Sequence, residues 1–448
     1  MSDDFDDALA LANGQAGLSA VTHPVPPPPA YAPGDPRGGH GTGGRAPHGS
    51  GTHGHHDTRP PGTPWAEARV LARSAARPGE PVELPLARAL GHTLAEPLPA
   101  LTDLPAFDTA AMDGWAVSGP GPWTLDEAGH GVRAGDAPGR LPDGHAVPIA
   151  TGARVPAGTS AVLRSERGFA GEGRLSAAAT PAQGTDIRPR GQECRSGDLL
   201  LPAGTAVTPA VLGLAAAAGY DVLAVTRRPR VEVLVTGGEL LTSGVPDGGR
   251  IRDALGPLVA PWLTALGADV TATRHVSDDA EALRAALADG GTDVVVTTGS
   301  TAAGPVDHLR PALERIGATL LVDEVAVRPG HPMLLAALPD GRHLVGLPGN
   351  PLAAVSALLT LAEPLLRTLA DRDPHEGPGT ARLTERVHGH PRDTRLVPVA
   401  HAAGSARPLR FHGPAMLRGI ASATALAVIP PGGAGVGSDV HLLGLPRN

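Results

Sequence analysis

Between residues 230 and 370 the sequence alternates between two patterns, and this restricts the fold more than any other feature. Short apolar runs, VEVLV (231–235), ADVTAT (268–273), DVVVTT (293–298), ATLLVDEVAV (318–327) and HLVGL (343–347), are separated by stretches with helical spacing. The first of those stretches sets Leu255, Leu258, Val259, Trp262, Leu263 and Leu266 on one face. The second, DDAEALRAALAD, opens with Asp278 and Glu281 in capping-box spacing. Strands spaced by helices predict a parallel, doubly wound α/β sheet. Such a sheet takes ligands just beyond the carboxyl ends of its strands.

Two loops fall at that edge. In VVVTTGSTAAGPVDHLR (294–310) an apolar run ends at two threonines, and the small residues Gly299, Ser300, Thr301 and Gly304 lead to Asp307. Small residues let backbone N–H groups approach a phosphate, and a divalent cation between phosphate and Asp307 would reconcile the two negative charges. The alternative is a tight strand–helix turn with Asp307 as its cap. In LVGLPGNPLAAVSALL (344–359), Pro348 and Gly349 turn the chain, Asn350 suits the cap and Pro351 the first helical turn. The unpaired N–H groups of that helix are expected to face the same edge. RPGHP (328–332) adds Arg328 and His331 beside a third strand end, as candidate oxyanion partners.

The rest of the 448 residues divides by composition. Residues 1–63 are Pro/Gly/His-rich with little to bury, which predicts a disordered tail whose histidines hold a metal only loosely. Residues 64–99 and 197–228 have helical spacing, with Thr208 as an N-cap and Pro209 behind it, and read as one split helical domain. Residues 100–196 between them read as an inserted β-rich domain of short strands and turns. Residues 229–373 hold the α/β pattern, and 374–448 read as a small all-β module. Loops of the inserted segment carry Asp108 and Asp113 in LPAFDTAAMDGWAV, Thr151 in ATGARVP, and Arg188, Arg190 and Glu193 in DIRPRGQECRSGD.

Charge and composition exclude some functions. A formal net charge of −8 argues against sequence-independent nucleic-acid binding. One cysteine excludes an intramolecular disulfide and a Cys-cluster metal site. No run of about 18 apolar residues stands out, so no membrane span is expected. The acidic start MSDDFDDALA is unlike a secretory signal, so the expected location is the cytoplasm.

Taken in order, FDTAAMDGWAV, IATGARVPAGTSAV, DIRPRGQECRSGDLLLPAGT, VEVLVTGGEL, DVVVTTGSTAAGPVD, VAVRPGHP and GLPGNPLAAV resemble the molybdopterin molybdenumtransferase family, whose members are similar to the E domain of gephyrin. The likeness runs from about Trp65 to the C-terminus. It implies a multidomain α/β protein: a split helical domain, an inserted β domain, a doubly wound molybdopterin-binding domain and a β-barrel-like C-terminal domain. It also implies a homodimer, with each site between the α/β domain of one copy and the inserted domain of the other. The implied reaction inserts molybdate into the dithiolene of adenylylated molybdopterin, with Mg²⁺-dependent release of AMP and onward transfer to molybdenum-enzyme acceptors.

On this resemblance Asp113, Glu239 and Asp307 are the catalytic carboxylates that hold or orient Mg²⁺ and its water. Gly299, Ser300, Thr301 and Gly304, with Pro348, Gly349, Asn350 and Pro351, are expected to cradle the pterin phosphate. Thr151, Arg188, Arg190, Glu193 and Asp253 are expected to bind substrate, with Arg190, Arg328 and His331 facing the anions. Several positions depart from the family pattern. Thr109-Ala110 replaces Asn-Ser, TGGE (236–239) replaces TGDE, and Asp253-Ala254-Leu255 replaces Asp-Ser/Thr-Asn. The loop Gly-Ser-Thr-Ala-Ala-Gly moves or loses a hydroxyl, and R-P-G-H-P replaces K-P-G-K-P. Two readings therefore stand: a divergent enzyme, or a weakened paralogue that binds molybdopterin as a carrier or regulatory module.

Overall fold

The computed structural model describes residues 62–446, apart from 126–130, 278, 302–307 and 373–378. The tail 1–61, the expected cap Asp278, and the site candidates Gly304 and Asp307 lie outside the described residues.

The alternating segment forms a six-stranded sheet. Its strands are β1 (Arg230–Thr236), β2 (Asp269–Val276), β3 (Val294–Thr298), β4 (Thr319–Asp323), β5 (Leu334–Ala337) and β6 (His343–Leu347), in spatial order β2-β1-β3-β6-β5-β4. β2, β1, β3 and β6 run parallel, and β5 is antiparallel to both β6 and β4. Period-2 alternation feeds two cores. Val231, Val233 and Val235 meet Val259 and Leu263 of α1 (Gly256–Ala265) on one face. Leu234 meets Leu283 and Leu287 of α2 (Ala280–Ala288) and Leu313 of α3 (Leu309–Arg315) on the other. Every residue of β3 and β6 is buried, and each Val or Leu so placed contributes about 1.5–3 kcal/mol. The cap of α2 is Asp279, whose carboxylate accepts from the Ala282 N–H at 3.1 Å.

The run ATLLVDEVAV is not one strand. Glu324 adopts φ 62°, a left-handed conformation that breaks the run. Thr319–Asp323 stays in the sheet, and Val325–Arg328 leaves it to pair with Thr63–Pro64 and with the C-terminal module. Thr63, grouped with the tail on composition, is thus already part of a strand.

After β6 comes α4, Pro351–Leu369, with a π turn at Leu358–Ala362. This 19-residue helix has the length and apolarity of a membrane span, which the sequence reading passed over. Most of it is buried inside the fold as a core helix. The helix Trp65–Ser74, assigned by pattern to the split domain, packs on α4. Ala68 and Ala72 are fully buried one turn apart, and small side chains at that spacing let two helices approach closely. Trp65 Nε1 donates to Thr360 Oγ1 at 3.1 Å, and the Arg69 guanidinium donates to the Leu359 carbonyl within the π turn. A π turn frees backbone groups that need such partners.

The split region is more strand than its helical spacing suggested. Pro81–Pro85 forms a strand beside Val222–Thr226, which also pairs with Thr93–Leu94, and between residues 75 and 100 only Leu86–Ala89 is helical. Pro81 and Pro85 explain the difference, since neither belongs in a helix interior. Thr208 does cap the helix Pro209–Ala217, accepting from the Val211 N–H.

The inserted segment builds a separate six-stranded sheet in which Gly114–Val117 lies between His145–Ile149 and Ala161–Arg164. The C-terminal strands Thr380–Leu383, Thr394–Ala402, Ser405–Pro408, Ala425–Ile429 and Asp439–Gly444 close into a five-stranded barrel. Val397, Val399, Ala427 and Leu442 fill its core.

Candidate functional site

Three parallel strand ends converge at the switch point of the sheet. β1 ends at Thr236, β3 at Thr298 and β6 at Leu347, and the loops after them line a cleft of ≈ 310 Å³. Glu239, Asp253, Gly299, Ser300, Gly349, Asn350 and Pro351 all line it. Glycine is needed where these loops crowd together. A Cβ on Gly237 would lie 3.0 and 3.1 Å from the Glu239 carboxylate oxygens, and Gly237 has φ 136°. Ser300 sits at φ 51° beside Gly299 at φ 82°, a rare conformation for a residue with a Cβ and one that gathers at ligand sites.

The charges in this cleft are unequal. Asp253 is 6 % exposed and fully engaged: Oδ1 accepts from the N–H groups of Leu255 and Gly256, both at 2.9 Å, and Oδ2 lies 3.0 Å from His275 Nε2. It therefore anchors the start of α1. The Glu239 carboxylate has no cation or side-chain donor on it among the described residues.

The start of α4 departs from expectation. Asn350 is the N-cap residue, but its side chain makes no capping bond. The N–H groups of Leu352 and Ala353 donate to the Pro414 carbonyl at 2.9 and 3.3 Å, and that of Ala354 to the Asn350 carbonyl at 2.8 Å. A loop of the C-terminal module thus caps the helix, and the expected free donors are taken. Thr301 is 2 % exposed and lines no part of the cleft; its carbonyl accepts from Arg310.

A second cleft, ≈ 360 Å³, adjoins the first through Asn350, which lines both. Arg328, His331 and Pro348 line it. The two expected oxyanion partners already have partners of their own. Arg328 Nε donates to Asp393 Oδ2 at 2.8 Å. His331 Nδ1 donates to the Val325 carbonyl at 2.7 Å, and its Nε2 lies 3.3 Å from Glu324 Oε2. The sequence reading missed Arg395 and His412, which line this cleft from the C-terminal module with Arg395 Nη2 3.3 Å from His412 Nδ1. It also missed Arg252 in the first cleft. Arg252 was legible, since it adjoins Asp253; the other two lie in stretches without any motif.

The inserted domain holds the remaining candidates. The Thr151 N–H and hydroxyl both donate to Asp113 Oδ1, at 2.7 and 2.9 Å, and these bonds, the backbone one foremost, hold the Asp113 carboxyl below its usual range. Gly114 must be glycine, because a Cβ there would meet the Leu163 carbonyl oxygen at 2.0 Å. Asp113 and Thr151 line neither cleft. Arg188 and Glu193 line a separate cavity of ≈ 450 Å³ with Thr109. Arg190 is engaged: its guanidinium pairs with Asp103, and its N–H donates to Asp108 Oδ1 at 2.7 Å. The sequence-read residues thus fall into separate groups within one chain.

A divalent cation can be tested against these groups. Among the described residues no cluster of three His, Cys, Asp or Glu side chains could hold a metal. Mg²⁺ does not require one, because it is commonly held by one or two carboxylates together with substrate phosphates and water. Glu239, facing an open cleft, meets that requirement.

Comparison with known proteins agrees with this architecture. Residues 63–219 match the MoeA N-terminal region (domain I and II), residues 232–368 a probable molybdopterin binding domain, and residues 380–443 the MoeA C-terminal region (domain IV). A molybdopterin molybdenumtransferase from Synechococcus elongatus is 34% identical over 335 residues, 71% of this chain and 82% of that protein. One from Staphylococcus aureus is 30% identical over 311 residues, 67% and 73%. The crystal structure of a molybdopterin biosynthesis MoeA protein from Pyrococcus horikoshii superposes with a TM-score of 0.69 at 26% identity, covering 86% of this chain and 99% of its own.

Proposed function

This chain belongs to the molybdopterin molybdenumtransferase family, transferases of molybdenum cofactor biosynthesis, and from that membership we propose that it inserts molybdate into the dithiolene of adenylylated molybdopterin and releases AMP, acting in the cytoplasm. The observation that carries the proposal is the first cleft, where the open Glu239 carboxylate stands at a strand-end crevice beside the glycine-lined loops after β3 and β6.

In this reading the ligand's phosphates lie in the first cleft along Gly299, Ser300 and Gly349. Glu239, with Asp307 beyond the described residues, would hold a Mg²⁺, which when bound neutralises charge on the phosphoanhydride. Glu239 also orients the water whose oxygen bonds to phosphorus as the anhydride bond breaks and AMP leaves. Molybdate approaches through the second cleft, where Arg328, His331, Arg395 and His412 supply positive or polar edges, and Asn350 marks the passage between the two. Asp113 and Thr151 act from the inserted domain of a second copy. Neither residue lines a cleft of its own chain, which fits a homodimer, and the loaded product passes to molybdenum-enzyme acceptors.

The second reading, a paralogue that binds molybdopterin without efficient turnover, draws on the Pro414 carbonyl at the start of α4 and on the occupied Arg328 and His331. One assay separates the two: AMP release from adenylylated molybdopterin by the purified protein, with and without molybdate and Mg²⁺. Release that requires both is expected. Tight ligand binding without release would instead establish the carrier reading.

A further inference from the structure

The first cleft offers an anion fewer backbone donors than its position suggests. Pro351 has no N–H, and the next three N–H groups of α4 donate to the Pro414 and Asn350 carbonyls. The Gly299 N–H donates to the Leu347 carbonyl at 2.8 Å. The Pro414 carbonyl moreover presents negative charge where a phosphate would otherwise seek N–H groups.

One cation remains. Arg252 is the only basic side chain among the described residues that line the cleft, and the chain contains no lysine. It lies in the short strand Ile251–Arg252, which pairs in parallel with Leu240–Leu241 and so holds the arginine on the cleft wall just past Glu239. Its guanidinium has no carboxylate partner among the described residues; Nη1 makes one long bond, 3.4 Å, to the Leu241 carbonyl. The adjacent Asp253 does not claim it, because both carboxylate oxygens are bonded elsewhere. Glu239 and Arg252 are thus an open carboxylate and an open guanidinium on one cleft.

We infer that Arg252 holds the phosphate of the ligand in the first cleft, in place of the capped end of α4. The inference rests on the reading that a phosphorylated pterin occupies this cleft, and it divides the site into a metal end at Glu239 and a phosphate end at Arg252. A guanidinium matches two phosphate oxygens with two parallel N–H donors, which a single ammonium does not.

The test is equilibrium binding of molybdopterin and of its dephosphorylated form to the full-length wild type, Arg252→Gln and Arg252→Lys. The expected wild-type preference for the phosphorylated form is about 10–100-fold, the range for hydrogen bonds to charged groups. Arg252→Gln should lose most of that preference while binding the dephosphorylated form within about 2-fold of wild type, and Arg252→Lys should recover part of it. An Arg252→Gln protein that keeps the full preference overturns the inference and leaves the pterin reading intact. A wild type that binds neither form overturns the pterin reading, and the inference with it. Arg252 is exposed, so the variants should fold, and an unchanged circular dichroism spectrum checks that.

Discussion

The two clefts share Asn350 but are built on opposite principles. In the first, Glu239 and Arg252 have no charged partner among the described residues, and the engaged carboxylate, Asp253, supports a helix. In the second, Arg328 is tied to Asp393, and His331 is tied to Val325 and Glu324. Both of these open charges are exposed, so solvent keeps them at little cost and they stay available to a ligand. Side chains fixed by neighbours shape a passage and cost little to keep. On the proposed reading, the chemistry belongs to the first cleft and steering to the second.

The comparison breaks most readily at Glu239. Glu239→Gln keeps size and hydrogen bonding but removes the charge, and molybdate-dependent AMP release should fall by about 100-fold or more, as when other preorganised electrostatic groups are removed. Turnover within a few-fold of wild type would mean that the first cleft is not where the chemistry occurs. Thermal unfolding should change little, since Glu239 has no partner among the described residues.

Asp253 should separate support from ligand contact. Asp253→Ala strands the Leu255 and Gly256 N–H groups and should destabilise the protein by about 1–3 kcal/mol in urea unfolding. Asp253→Asn keeps an acceptor for both and should retain most of that stability, with pterin binding within a few-fold of wild type. If Asp253→Asn is stable but fails to bind, Asp253 is a direct ligand contact after all.

What was legible in the sequence follows from how local each feature is. The β1, β3 and β6 runs are short, apolar and separated by helices, so their carboxyl ends had to share an edge, and the loops at 237–239, 299–300 and 349–351 came together there. The partners of those loops were not legible. Capping of α4 by Pro414 depends on where the barrel docks, and the ties of Arg328 to Asp393 and His331 to Glu324 depend on the break at Glu324. Arg252 was marked only by its place beside Asp253, since a two-residue strand leaves no periodic trace. The packing of the helix Trp65–Ser74 on α4 was not legible for a related reason: a face of Ala68 and Ala72 says that something approaches closely, not what.

Arg328 should give a smaller effect than Glu239. Arg328→Gln removes the guanidinium from Asp393, which keeps His390 Nδ1 at 3.3 Å, and the arginine is half-exposed so that solvent screens the pair. The expected loss of stability is about 1 kcal/mol or less. Apparent molybdate affinity should weaken by less than about 10-fold, because Arg395 and His412 remain in the cleft. A loss as large as that from Glu239→Gln would erase the distinction between a reacting cleft and a steering one.

The smallest effect is expected at Asp113, outside both clefts. Thr151 holds its carboxyl below the ordinary value of 3.8, so the carboxylate persists to lower pH in the folded protein than in the unfolded chain. The stabilisation linked to it is present above the unfolded value and is lost as pH falls through the lower folded one. Thr151→Val removes the hydroxyl bond and keeps the backbone N–H, which is the larger contribution. The acid limb of the pH–rate profile should therefore move upward, but by only part of the full Thr151 effect, with the neutral-pH rate nearly unchanged. Mixing Thr151→Val with Glu239→Gln protein sharpens this further. If Asp113 serves the cleft of a second copy, mixed dimers contain one cleft with Glu239 and wild-type Asp113–Thr151 opposite it, and part of the activity shows the wild-type acid limb. If each chain serves its own cleft, every active site in the mixture carries one of the two defects, and the acid limb stays shifted.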